Sequence, residues 1–213
     1  MGVRRHEHRR CLVAGRGELA EAVAGRLREE GGTVVLLAED ASSLASDDGA
    51  SAAVASALGR LGGLDVCVTA FSNRSANSFL EIDDQEWVRC IDENLTCAFT
   101  IAREAARAML ASGGGVIVHV GSDVAARPGP GSAAYASAKA GLQLMSTCMA
   151  LDLSLDGVRV CAVAAPEDGA GAPHGELLGP KDTAAAVAFC ASDEASYVLG
   201  STFFLNGPLP VRG

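Results

Sequence analysis

The chain has 213 residues, 49% apolar, 20% charged and 4% aromatic, with a net charge of −9. That is enough for one domain with a full core, too apolar for disorder, and short of aromatics, so Ala, Val and Leu must fill the space between helices and a sheet. The acidic balance excludes broad binding of nucleic acid, which needs a basic surface, and no apolar run approaches the length of a membrane span.

The first ten residues carry Arg4, Arg5, Arg9 and Arg10 beside His6 and His8. They read as a disordered basic lead-in. A secretory signal is rejected because Arg16 and Glu18 cut short the apolar stretch behind them. Residues 11–213 read as one Rossmann-type domain. Cys11–Ala14 is a short apolar run ending in Gly15-Arg16-Gly17, and a helical pattern follows from Leu19 to Glu30, with Leu19, Val23 and Leu27 four apart. Gly31-Gly32 stops it. Val34–Ala38 is a continuous apolar run, as in a strand buried on both faces. Ala50–Leu61 reads as a helix, Val66–Ala70 as a buried strand, Gln85–Ser112 as one long helix, and Val116–Val120 as a strand after a triple-glycine turn. A helix over Ala133–Leu155 and a strand over Val158–Ala164 come next. A Gly/Pro-rich loop spans Ala165–Pro180, Asp182 is placed to cap a helix reaching Ser192, and Thr202–Leu205 is the last strand. Strands alternating with helices predict an α/β fold, a doubly wound parallel sheet with helices on both faces.

The seven cysteines (Cys11, Cys67, Cys90, Cys97, Cys148, Cys161 and Cys190) form no CxxC pair and meet no cluster of histidines. No metal site is expected from them. They read as free thiols in apolar surroundings, in a reducing cytoplasm.

Tyr135-Ala136-Ser137-Ala138-Lys139 puts a tyrosine and a lysine four apart, on one helix face. An ammonium beside a phenol favours the phenolate, and a tyrosine so tuned exchanges protons with a carbonyl or alcohol oxygen near neutral pH. Ser122, just past a buried strand, is placed to hold the same oxygen. The chain has only two lysines and two tyrosines, which sharpens the pairing, although a surface pair on an ordinary helix has the same spacing.

Ile117-Val118-His119-Val120-Gly121-Ser122, then Tyr135 to Lys139, then Val158-Arg159-Val160 resemble the catalytic half of short-chain dehydrogenase/reductase (SDR) enzymes. Lys181 to Phe189, and the run through Asn206-Gly207, resemble that family's ending. The resemblance implies hydride transfer between a nicotinamide cofactor and a carbonyl or alcohol of a small molecule. Tyr135 would be the acid/base, Ser122 the substrate-oxygen donor, and Lys139 both the tuner of the tyrosine and a cofactor ribose ligand. Asn94, in Glu93-Asn94-Leu95, matches the family's helix asparagine, which implies a proton-relay water beside the lysine. The family's helix over Ala133–Leu155 packs between subunits, so a homodimer or homotetramer is expected.

The cofactor side departs from the family pattern. Its longer glycine loop is replaced by Ala14-Gly15-Arg16-Gly17-Glu18-Leu19-Ala20, which fits a shorter GxGxxA turn able to set a pyrophosphate on a helix start. Gly15, Arg16 and Gly17 are therefore the candidate cofactor residues. Glu39, with Asp40 at the end of the second strand, is the candidate ribose ligand, which leans the choice toward NAD(H) over NADP(H). Thr69-Ala70-Phe71-Ser72 replaces the family's Asn-Asn-Ala-Gly, and Phe71 is expected to crowd the cofactor's path. Between Glu39 and Asp65 one helix is expected to be missing. The covering loop is short, and His174 within it is a second acid/base candidate set against a plain solvated histidine. Three functions compete: an NAD(P)-dependent ketoreductase or dehydrogenase; an SDR-fold enzyme of non-redox acid/base chemistry such as cyclisation, dehydration or isomerisation; and a silent partner subunit.

Overall fold

The computed structural model describes residues 4–74, 77–166 and 178–205. Six parallel strands form one sheet in the order β2-β1-β3-β4-β5-β6. The strands are β1 (Arg10–Gly15), β2 (Thr33–Leu37), β3 (Val66–Ala70), β4 (Gly115–Ser122), β5 (Val158–Ala165) and β6 (Thr202–Phe204). Helices α1 (Gly17–Glu29), α2 (Ala41–Leu44), α3 (Asp47–Leu61), α4 (Asp84–Ile91), α5 (Cys97–Ser112), α6 (Ala133–Leu153) and α7 (Pro180–Ala191) cover it.

The apolar runs explain the layers. Every residue of β3 is buried, as is β4 from Val116 onward, because helices lie on both faces. One core holds Leu12, Cys67, Ile117 and Val160 against α3, α5 and α6. The other holds Val13, Val68, Val118 and Val163 against α1 and α7. Alternation along each strand thus divides the same run between two cores. β2 departs from the expectation. It is an edge strand, where Val35 and Leu37 are buried but Val34 and Leu36 are only partly covered.

Local chemistry sets the helix ends. Ser46 Oγ accepts the Gly49 N–H at 3.1 Å and opens α3, and Gly62, at φ 72°, ends it. Asp182 lies inside α7 rather than before it, and its carboxylate accepts the Gly179 N–H at 2.8 Å. Between β2 and β3 the chain makes the one-turn α2 and the full α3. The long helix expected over Gln85–Ser112 is continuous, but it passes through a π turn at Asp92–Thr96.

Within the basic lead-in, the described residues from Arg4 onward make contacts with the domain. His6 is fully buried, and one of its ring nitrogens lies 2.9 Å from the Ala188 carbonyl of α7. Arg5 bridges Glu30 and Glu194 at 3.1 and 2.9 Å. A buried imidazole bonded to α7 fixes this segment, a tertiary contact that a count of positive charges does not reveal. Among the described residues no helix is long and apolar enough to cross a membrane.

Candidate active site

The sheet order reverses between β1 and β3, so the chain leaves their carboxyl ends in opposite directions and opens a crevice, the usual ligand position of such sheets. A cleft of about 280 Å³ lies there, lined by Arg16, Asp40, Phe71, Ser72, Asn73 and Glu93 among others.

Tyr135, Lys139, Ser122 and Asn94 all come to this edge of the sheet. Ser122 is the last residue of β4 and is 1% exposed. Its Oγ accepts the Val124 N–H at 3.1 Å, and its carbonyl accepts from Gln143 of α6 at 3.0 Å. Tyr135, in the first turn of α6, is 3% exposed and packs with Cys90 and Val124. Its hydroxyl lies 3.0 Å from Ser72 Oγ. Lys139, one helical turn on, is 1% exposed, and its ammonium lies 5.4 Å from the centre of the Tyr135 ring. That ammonium donates to the carbonyls of Phe71 at 2.5 Å and Val120 at 3.3 Å. Burying an ammonium costs several kcal/mol unless oxygens surround it. The ends of β3 and β4 supply those oxygens.

Asn94 sits in the π turn and is fully buried. Its side chain accepts the Asn73 N–H at 3.1 Å and donates to the carbonyls of Asn73 at 2.8 Å and Cys90 at 2.9 Å. Its amide therefore fastens the segment after β3 to the helix, a task distinct from the water relay implied by the resemblance. Extra residues in a helical turn free such groups, which is why π turns recur at functional sites.

The cofactor candidates divide. A single residue, Arg16, separates β1 from α1. A Cβ on Gly15 would stand 2.3 Å from the Ala70 carbonyl oxygen, so contact with β3 explains this glycine without a ligand. A Cβ on Gly17, at φ 79°, would meet nothing within 4 Å, so the surroundings of this glycine are open. Among the described residues no side-chain cap is made by Arg16 at the start of α1, and the first N–H groups of a helix have no partner within it. A dinucleotide fits these features: a pyrophosphate takes helix-start N–H groups, and Gly17 lets it approach. Glu39 is exposed, whereas Asp40 lines the cleft and forms an ion pair with Arg16. Phe71 lines the cleft with only a small part of its ring surface. It is 7% exposed and packs largely within the α3/α5/α6 core. His174 lies outside the described residues.

Two features were not anticipated. Ser72 meets the Tyr135 hydroxyl; a hydroxyl where the family has glycine was the available signal. His119, on β4, is fully buried, with Nδ1 at 2.7 Å from Thr69 Oγ1 and Nε2 without a hydrogen-bond partner among the described residues. Burial, aided by the Lys139 charge, pushes its pKa down to about 4. A histidine inside an apolar run gives no sign of its depth. Among the thiols, Cys11, Cys67, Cys90, Cys97, Cys161 and Cys190 are buried and Cys148 is exposed.

Fold and site together define a Rossmann-type α/β protein with a serine, tyrosine and lysine gathered at the carboxyl edge of its sheet. The family profile described as short chain dehydrogenase matches residues 4–167, and the chain belongs to the short-chain dehydrogenase/reductase family of oxidoreductases. It is 30% identical over 206 residues to a 3-oxoacyl-[acyl-carrier-protein] reductase of Haemophilus influenzae, covering 89% of this chain and 83% of that one. It is 32% identical over 207 residues to a cis-4-hydroxycyclohexanecarboxylate dehydrogenase of Sinomonas cyclohexanicum, covering 89% and 82%. The match to the reductase of Salmonella typhimurium, 35% identical over 162 residues, spans 68% of this chain and 66% of that relative, just under two thirds. Among solved structures, a short-chain dehydrogenase/reductase of Burkholderia xenovorans superposes with a TM-score of 0.89 at 26% identity, over 98% of this chain and 99% of that one.

Proposed function

We propose that this chain moves a hydride between a nicotinamide cofactor and a carbonyl or secondary alcohol, with Tyr135 as the acid/base. The observation that carries the reading is the buried Lys139 ammonium, 5.4 Å from the Tyr135 ring and held by carbonyls from two strand ends. An enclosed positive charge there favours the phenolate over the phenol. The relatives' names share one conversion, ketone to secondary alcohol or the reverse.

When bound, the nicotinamide supplies or takes the hydride. Tyr135 gives a proton to the substrate oxygen in reduction and takes it back in oxidation. Ser122 Oγ already accepts the Val124 N–H, which leaves its own proton for the same oxygen. Asn94 holds the segment after β3 in place. Gly17, Arg16 and the start of α1 would hold the pyrophosphate. Asp40, with Glu39 beside it, suits the hydroxyls of an adenosine ribose and repels a 2′-phosphate, which favours NAD(H).

Binding titrations followed by nicotinamide fluorescence test this. NADH should bind at least tenfold more tightly than NADPH. The opposite order overturns the cofactor choice, and failure of both to bind at millimolar concentration overturns hydride transfer in favour of non-redox acid/base chemistry.

A further inference from the structure

Ser72 stands two residues beyond β3, and its hydroxyl lies 3.0 Å from that of Tyr135. Its place is fixed on both sides. The carbonyl of Phe71 before it is held by Lys139 at 2.5 Å, and the N–H and carbonyl of Asn73 after it are held by Asn94 at 3.1 and 2.8 Å. Two members of the candidate site therefore aim this serine at a third. Tyr135 is buried, whereas Ser72 is exposed and lines the cleft. The serine hydroxyl thus joins an enclosed phenol to the solvent side.

We propose that Ser72 is a positioning residue of the proton-transfer centre, orienting the Tyr135 hydroxyl and passing protons between it and water in the cleft. The proposal rests on the reading of Tyr135 as acid/base. After Tyr135 has given its proton to a substrate oxygen, the Ser72 O–H donates to the phenolate, a charge-assisted bond stronger than one between neutral groups. Ser72 then gives up that proton and takes another from a cleft water. One O–H bond breaks and one forms at the serine, Tyr135 is neutral again, and the hydroxide left behind disperses into solvent. Oxidation runs the same exchange backward. The Lys139 ammonium and the Cys90 thiol also face Tyr135, and both stay in place as residues in every Ser72 variant, so a difference between Ser72→Ala and Ser72→Thr reads the serine hydroxyl.

The chain has two tyrosines, and the other, Tyr197, is fully exposed. In a Tyr197→Phe protein the near-ultraviolet absorbance of tyrosinate therefore reports Tyr135 alone, with no substrate or cofactor needed. Adding Ser72→Ala should raise the midpoint of that titration by about one pH unit, the worth of a hydrogen bond to a charged group. Ser72→Gly should raise it equally, and Ser72→Thr, which keeps a hydroxyl, should leave it within a few tenths of a unit, with circular dichroism confirming the fold at each pH. An unmoved midpoint in Ser72→Ala, or an equal rise in Ser72→Thr, overturns the proposal while leaving the acid/base reading intact. Conversely, normal turnover by Tyr135→Phe removes the acid/base reading, and with it the relay, even where the titration shows the contact.

Discussion

Lys139 is one of two lysines in a chain that otherwise uses arginine, and it is buried beside one of two tyrosines. A guanidinium is larger, planar and always charged, so it does not replace a compact ammonium ringed by carbonyls. Tyr135→Phe keeps the ring packing and removes only the hydroxyl, so stability should change little while turnover falls by roughly two orders of magnitude or more. Lys139→Met should do comparable harm by another route, through the lost charge beside the phenol, and Lys139→Arg should not rescue it. Steady-state kinetics beside thermal unfolding separate the two effects, and wild-type turnover by Tyr135→Phe would sink the assignment. His119 makes a second prediction. Its pKa is about 4 in the fold against 6.5 in the unfolded chain. Between those values the unfolded chain binds more protons, so stability is full above pH 6.5 and is lost as the pH falls toward 4. The loss is on the order of 3 kcal/mol for this one buried group. Burial lowers the pKa of His6 as well, so it contributes with the same sign. Urea unfolding at pH 7 and pH 5 should show a smaller drop in His119→Asn than in the wild type, and equal drops would contradict it.

Two glycines of one short loop, between β1 and α1, do different work. Gly15→Ala drives a methyl toward the Ala70 carbonyl at the meeting of β1 and β3, and should lower stability by about 1–3 kcal/mol through overpacking. Gly17→Ala meets no neighbour, so it should cost only about 1–2 kcal/mol for a left-handed backbone. The larger effect of Gly17→Ala should be a loss of at least tenfold in NADH affinity in a protein that still folds. Equal NADH affinity in Gly17→Ala and wild type would remove α1 from the cofactor site. This division is invisible in the motif, where both positions read as cofactor glycines. Periodicity locates β3 to the residue and the other strands to within one or two, because an uninterrupted apolar run has few alternative burials. It misjudges β2, whose run of the same composition lies at an edge, since strand order is not written in any one strand. It puts Tyr135 and Lys139 on one face of α6 and Ser122 at the end of β4, where the structure has them, because those placements are local. It misses the contacts made by Ser72, His119 and His6, each with a partner 50 or more residues away.

Helices α5 and α6 carry apolar residues that neither core uses. Leu144, on α6, is 66% exposed, and Phe99 and Leu110, on α5, are 42% and 41% exposed. Between the two helices runs a groove of about 370 Å³ lined mainly by Phe99, Leu110, Met145, Cys148, Met149 and Leu153. Arg103, Arg107 and Asp152 also line it, supplying charges of both signs. A chain with a net charge of −9 repels its copies at long range, so association needs apolar contact and local pairing of this kind. A two-fold axis through the groove would place the apolar patch against its own copy. The resemblance to short-chain dehydrogenases implies a subunit contact on the same helix. Light scattering on the purified protein should therefore return two or four times the chain mass of 21.6 kDa. Leu144 and Cys148 are exposed one turn apart on α6, so replacing both with glutamate leaves the cores untouched and places like charges across the axis. That variant should keep its circular dichroism and run at the mass of one chain. A wild type of single-chain mass, or an unchanged oligomer in the double variant, would place the contact elsewhere or remove it, leaving the exposed face of α6 to be explained by another partner.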